Sequence, residues 1–177
     1  MTLSELLELL TAMGTEPIEE IAGMSELDHG LQCAFELAQA RPDDRELHIA
    51  GLVHDIGHRF APDALHGVLG AERVRGLLGA RVASLVEAHV PAKRYLVTTD
   101  AAYGSVLSAG STASLEVQGG PLGPDELAAF LVSPHAADAV ALRRADDAAK
   151  VPGRSVPPLS HWVPVLSELG LDQSPMA

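Results

Sequence analysis

The densest chemistry in the chain is the stretch GLVHDIGH, residues 51–58, where Asp55 follows His54 directly and His58 follows it by four positions. On a helix that spacing puts both imidazoles on one face. An adjacent His–Asp pair in an apolar segment is costly to bury unless something neutralises it. A divalent metal ion does so, because imidazole and carboxylate both suit such ions. Three more histidines, His29, His66 and His89, fall in separate apolar helical patterns, and Asp146-Asp147 puts carboxylates into another. Taken singly, a histidine in such a setting reads as a hydrogen-bonded core or surface residue. Taken together they supply the ligands for two metals, more than one helix offers.

The elements that must carry these residues read as helices throughout. Ser4 to Met13 spaces its leucines for an amphipathic helix with Ser4 as N-cap. Ser25 starts a second helix that ends near Arg41-Pro42, and Asp43-Asp44 places acids ahead of a third, ELHIAGLVHDIGH, running through His58. A fourth is expected over Ala64–Leu78, then a short one over Ala83–His89, with Pro91 turning the chain toward Lys93. The pattern blurs from Tyr103 to Gln118 until Gly119-Gly120-Pro121 stops it. Helices follow at Asp125–Val132, over a long stretch with Pro134 in its first turn that runs to Lys150, and around Trp162–Leu169. Sustained strand alternation is absent, so the expected fold is all-α.

Composition narrows the function further. The 177 residues suit a single domain, and 47% hydrophobic with 20% charged residues is globular composition. With only 3% aromatics, the core must be Leu, Ala and Val. A net charge of -12 repels phosphate backbones and anionic membranes, so neither nucleic acid nor a membrane is an expected partner. A small anionic substrate would need a local basic pocket. The one cysteine, Cys33, reads as a buried inert thiol, and with no signal-peptide pattern at the N-terminus the chain reads as cytoplasmic. Nothing in the sequence speaks to oligomeric state.

The order His29…His54-Asp55…Asp146 resembles the HD superfamily, named for its His-Asp dipeptide, and His66 and His89 fill the further positions of its two-metal members. The blocks LDHGLQCA (27–34), LVHDIGH (52–58), HVPAKRYL (89–96), LSAGSTASLEVQGGP (107–121) and RRADDAAKVPG (143–153) are similar to the HD-domain mixed-valent di-iron oxygenases that degrade organophosphonates. The similarity runs from about residue 27 onward. It implies an HD-domain helical bundle over residues 1–177, with a metal-binding core of about 25–153 and helical extensions at both ends.

The resemblance also implies roles. His29, His54 and Asp146 would hold one iron, His66 and His89 the other, and Asp55 would bridge an Fe(II)/Fe(III) pair. Asp146 matches the superfamily's terminal aspartate, and Asp147 would be a solvated neighbour. His58 and Lys93 become candidate catalytic residues. Both would also bind substrate, with Ser111 and Arg143. Asp28 is either a partner for a cationic group on the substrate or a solvated helix residue. Gln32 is expected to be a helix residue near His29, Tyr103 and Trp162 core, and His48, His135 and His161 without a role. The implied reaction is oxidative cleavage of the C–P bond of a 1-hydroxyalkylphosphonate to phosphate and a carboxylic acid, with dioxygen as co-substrate. The rival within the superfamily is a metal-dependent phosphohydrolase of a phosphate ester or nucleotide, which generally lacks a lysine in the position of Lys93. A non-catalytic metal-binding protein is a third reading.

The chain departs from the oxygenases of aminoalkyl phosphonates in three places. Glu19-Glu20-Ile21-Ala22 stands where they carry Tyr-x-Gly-Glu, Ala145 replaces the usual Trp, and the loop from Asp55 to His66 is shorter. These changes predict one more open iron at rest and a substrate other than the aminoethyl compound.

Overall fold

Helix α1 (Leu3–Met13) opens on a capping box in which Thr2 and Glu5 satisfy each other's backbone N–H groups. The cap is therefore Thr2 rather than Ser4. The structure, a computed structural model, describes residues 1–19 and 21–172; Glu20 and residues 173–177 lie outside the described residues. Helix α2 (Glu26–Ala40) starts at Ser25, which forms a second capping box with Asp28, and buries His29, Gln32, Cys33 and Leu37. Helix α3 (Arg45–Val53) is capped by Asp44 and buried along its length from Leu47 to Val53, with α2, α4, α8 and α9 packed around it.

The third helix stops at Val53, five residues short of the expected end at His58. His54-Asp55 leave it, and residues Ile56–Arg59 form a 3₁₀ turn. The reason is contact: Gly57 lies so near the next helix that a Cβ there would be 1.8 Å from the His66 carbonyl oxygen. Only glycine permits that approach. His58 consequently sits on the turn and does not share a helical face with His54.

Helix α4 (His66–Thr99) is two arms joined at Gly79, whose φ of 88° and ψ of 171° break the helical path. The backbone of Gly67 abuts the carbonyls of Val86 and Glu87, so the arms lie side by side and bring His66 beside His89. The expected break near Leu78 is found. Pro91, however, does not turn the chain; it lies inside the second arm, which runs on to Thr99. Lys93 thus stays one turn beyond His89 on the same helix.

The blurred region resolves into α5 (Ala101–Ser105), capped by Asp100, and α6 (Ala109–Val117), capped by Ser108. Helix α7 (Pro124–Leu131) follows, then α8 (Ala136–Ala148) and α9 (Leu159–Asp172). Pro134 precedes α8 rather than occupying its first turn, because His135 is the cap. Helix α8 is anchored at both ends. Asp138 pairs with Arg81 at 2.9 Å and Arg41 at 2.6 Å, and just past its end the Gln32 amide clasps the Val151 backbone at 2.8 and 3.2 Å.

The all-α expectation holds: among the described residues the one extended pairing is the isolated bridge Pro17–Ser25. The core runs from Leu6 and Leu10 through Ile49, Val53, Val74, Leu85 and Leu142 to Leu166, aliphatic as the scarcity of aromatics required. No described helix is long and apolar enough to cross a membrane.

Candidate metal centre

Four histidines turn the same atom inward. His29 Nδ1 lies 2.9 Å from the Ala149 carbonyl, His54 Nδ1 2.8 Å from Gly51, His66 Nδ1 2.6 Å from Asp63, and His89 Nδ1 2.5 Å from Val86. A carbonyl only accepts, so each Nδ1 carries the hydrogen and each Nε2 is turned to the centre, where it could ligate a metal. Backbone carbonyls holding the outer nitrogen are the usual support for metal-binding imidazoles. All four rings are buried, on α2, at the end of α3 and on both arms of α4.

Asp55 divides its carboxylate between them. Its Oδ2 is 3.5 Å from His29 Nε2 and 3.2 Å from His54 Nε2; its Oδ1 is 3.4 Å from His66 Nε2 and 3.5 Å from His89 Nε2. Asp146 completes the first group, with Oδ1 3.3 Å from His29 Nε2 and Oδ2 3.7 Å from His54 Nε2. The ligand atoms of His29, His54 and Asp146 all lie within 4.8 Å of one another, as do those of Asp55, His58 and His66. His54 Nε2 is fully buried with no hydrogen-bond partner, which a cation between these groups would satisfy. The donor set of imidazole nitrogens and carboxylate oxygens fits iron.

The electrostatics follow from this crowding. Burial opposes the charge on Asp55, yet the surrounding imidazoles hold it well below the usual carboxylate range. Asp146 is likewise held low against burial by Arg143 and Lys150. Burial opposes protonation of His29, but Asp146 and Asp55 outweigh it and raise it to about 10. His89, which has Asp55 but no second carboxylate beside it, is pushed down by burial to about 4.

Above the centre lies a cavity of about 740 Å³, lined by His29, Asp55, His66, His89 and Asp146. Its basic wall is Lys93, Arg143 and Lys150, with Ser108, Ser111 and Ser114 from the α6 region; Lys93 Nζ donates to Ser114 Oγ at 2.6 Å. Arg143 pairs with Asp146 at 2.6 Å and also with Asp147. Burial, then the neighbouring Arg143, pulls Lys93 down to about 8. His58, lowered mainly by burial, stacks on His66 with ring centres 4.0 Å apart. The lining also includes Pro17, Ile18, Glu19, Ile21 and Glu26, so Glu19 and Ile21 of the segment that departs from the aminoalkyl-phosphonate oxygenases border the cavity.

The structure thus brings together every candidate except Asp28. That carboxylate is exposed and occupied in the α2 capping box, accepting from Ser25 N at 3.0 Å and Oγ at 2.7 Å, while Glu26 faces the cavity instead. Glu26 Oε2 is buried without a partner. Asp147 is not a solvated neighbour: it accepts from Tyr103, Arg143 and Lys150. Tyr103 is buried as expected, but its hydroxyl joins that network. Lys150, Ser114 and Glu26 carried no distinguishing signal in the sequence; the i,i+4 spacing of Lys150 from Asp146 was the one available hint. His48 bonds the Arg41 carbonyl at 2.7 Å, away from the centre.

The HD domain family profile matches residues 18–118, which include His29, His54, Asp55, His66 and His89. The chain is 37% identical over 170 residues to a hydroxymethylphosphonate dioxygenase of Gimesia maris, covering 90% of this chain and 83% of that protein. It is 32% identical over 152 residues to a [1-hydroxy-2-(trimethylamino)ethyl]phosphonate dioxygenase (glycine-betaine-forming) of Leisingera caerulea, covering 80% and 77%. The helical scaffold, the His-Asp dipeptide at its centre and the matched span agree: the chain belongs to the HD-domain family, in the company of phosphonate dioxygenases.

Proposed function

We propose that this chain is an oxygenase that cleaves the C–P bond of a 1-hydroxyalkylphosphonate. One dioxygen is consumed per turnover, and the products are phosphate and the carboxylic acid one oxidation stage above the aldehyde. The two oxygen atoms balance the equation with no outside reductant. The observation that carries the reading is the set of four imidazoles with Nδ1 fixed on carbonyls and Nε2 turned to a carboxylate shared between two pairs. The names of the two relatives support the reaction and the substrate class.

In this reading His29, His54 and Asp146 hold one iron, His66 and His89 the other, and Asp55 both, as a mixed-valent Fe(II)/Fe(III) pair. When bound, the pair supplies the one-electron redox chemistry that lets dioxygen react with a C–H bond. The protein supplies the rest. Lys93 and Arg143, with Ser111, receive the phosphonate oxygens, and Lys150 adds charge to the same wall. His58, held neutral by burial, donates a hydrogen bond to a substrate oxygen. Lys93, Arg143 and Lys150 line the same cavity as Asp55 and Asp146, and bound metal would add further positive charge there. An anion is then drawn into an otherwise acidic protein. The continuous core supports one HD domain over the whole chain, with the metal-binding part at about 25–153, and the buried Cys33 thiol suits the cytoplasm.

The test is dioxygen uptake coupled to phosphate release from hydroxymethylphosphonate by iron-loaded protein. One O₂ per phosphate is expected. Hydrolysis of a nitrophenyl phosphate or a nucleotide under strict anaerobiosis, with no O₂-dependent phosphonate turnover, would replace the oxygenase with the phosphohydrolase.

A further inference from the structure

We propose that Tyr103 is a positioning residue for the metal-binding carboxylate of Asp146, acting through Asp147 and Arg143. The inference rests on the reading of Asp146 as an iron ligand. A guanidinium is a planar fork that grips a carboxylate with two parallel N–H groups. Arg143 has two carboxylates within reach on its own helix, Asp146 three residues on and Asp147 four. A fork closed on Asp146 would engage both of its oxygens and leave a poor metal ligand.

The fork is turned the other way. Nε and Nη2 face Asp147, and only Nη1 reaches Asp146, at Oδ2 and 2.6 Å. Asp146 Oδ1 is left to His29 Nε2 at 3.3 Å and to the flexible Lys150 ammonium at 3.2 Å. Tyr103 fixes that orientation. Its hydroxyl accepts from Arg143 Nε at 3.0 Å and donates to Asp147 Oδ2 at 2.7 Å, closing a ring of three side chains. A hydroxyl that does both at once ties the Nε edge of the guanidinium to Asp147, which no apolar ring can do. Tyr103 is itself held by α5, whose cap Asp100 accepts from the Tyr103 N–H at 3.1 Å. Arg143 and Asp146 are each 4% exposed, so the pairing between them is largely shielded from water.

The test is anaerobic titration of chelator-stripped, full-length protein with Fe(II), read as two binding equivalents per chain. Asp146→Asn identifies the equivalent that depends on Asp146, and His66→Ala the other. Tyr103→Phe should weaken the Asp146-dependent equivalent by roughly tenfold, as loss of a supporting partner does. It should leave the other equivalent and the melting temperature of the metal-free protein unchanged. Asp147→Asn should weaken the same equivalent, and the double variant no more than Asp147→Asn alone, because both act through one ring. Should Asp147→Asn fail to fold, Arg143→Lys, which keeps the charge and loses the fork, takes its place in the cycle. Unchanged binding in Tyr103→Phe overturns the proposal. So does equal weakening of both equivalents with a lower melting temperature, or strict additivity in the double variant. If the unaltered protein takes up two equivalents but consumes no dioxygen with any hydroxyphosphonate, the oxygenase reading falls and this one stands.

Discussion

His66 Nε2 and His89 Nε2 face each other at 2.8 Å, and each ring has already given its Nδ1 hydrogen to a backbone carbonyl. Two bare acceptors repel at that distance, so without metal one proton must sit between them. Burial disfavours charge on both rings, but Asp55 and Asp63 overcome this at His66, while His89 stays low at about 4; the proton belongs to His66.

Metal binding must therefore displace protons. At pH 7 the metal-free protein should release at least one proton per chain, from His29, whose folded value is about 10, and more as His66 gives up its share. Calorimetry of metal uptake in buffers of different ionisation enthalpy reads the number directly. A heat independent of buffer would contradict the assignment.

If Lys93 receives the phosphonate as proposed, it sets a pH limit on substrate binding. Its folded value of about 8 lies below the ordinary lysine, so its positive charge is present below pH 8 and lost above it. KM for a hydroxyphosphonate should rise about tenfold per pH unit above that point while kcat changes little. Lys93→Arg should remove the rise up to pH 10, and steady-state kinetics between pH 6.5 and 10 test this.

Gly57→Ala should disrupt fold and centre together. The new methyl group meets the His66 carbonyl, where backbone cannot yield cheaply. A loss of about 3 kcal/mol is expected from such overpacking. Because the turn carries Asp55 and the collision partner carries His66, iron content should drop with it. Denaturant titration and metal analysis, made side by side, would show both or refute the link.

Asp28 and Glu26 should separate cleanly. Asp28→Ala removes a cap and should cost about 1 kcal/mol, near 3 °C in melting temperature, with KM unchanged. Glu26→Gln should do the reverse, altering KM and leaving the melting temperature in place, since its buried oxygen contributes no hydrogen bond to the fold. Thermal melts and kinetics on the two variants decide it.

What the sequence reveals and what it hides both have physical causes. The histidines stand out because imidazoles on apolar faces break an otherwise clean hydrophobic pattern, and the caps at Ser25 and Asp44 are local signals read within four residues. The end of α3 is hidden because it is set by a neighbour, the His66 backbone, and not by any residue within the helix. Pro91 misleads because a proline that reads as a turn is tolerated where the freed carbonyl of Glu87 packs against a facing glycine backbone. Asp147 and Tyr103 are 44 residues apart, and only the folded chain brings them into contact.

The reversal at Gly79 has one more effect. It lets His66 and His89 meet across 23 residues of chain, whereas His29 meets the Ala149 carbonyl across 120. By loop-closure entropy the longer circuit costs about 1.5 kcal/mol more to join. One half of the centre is thus a short-range contact carried by a single hairpin of helix, and the other exists only when the far end of the chain has come home.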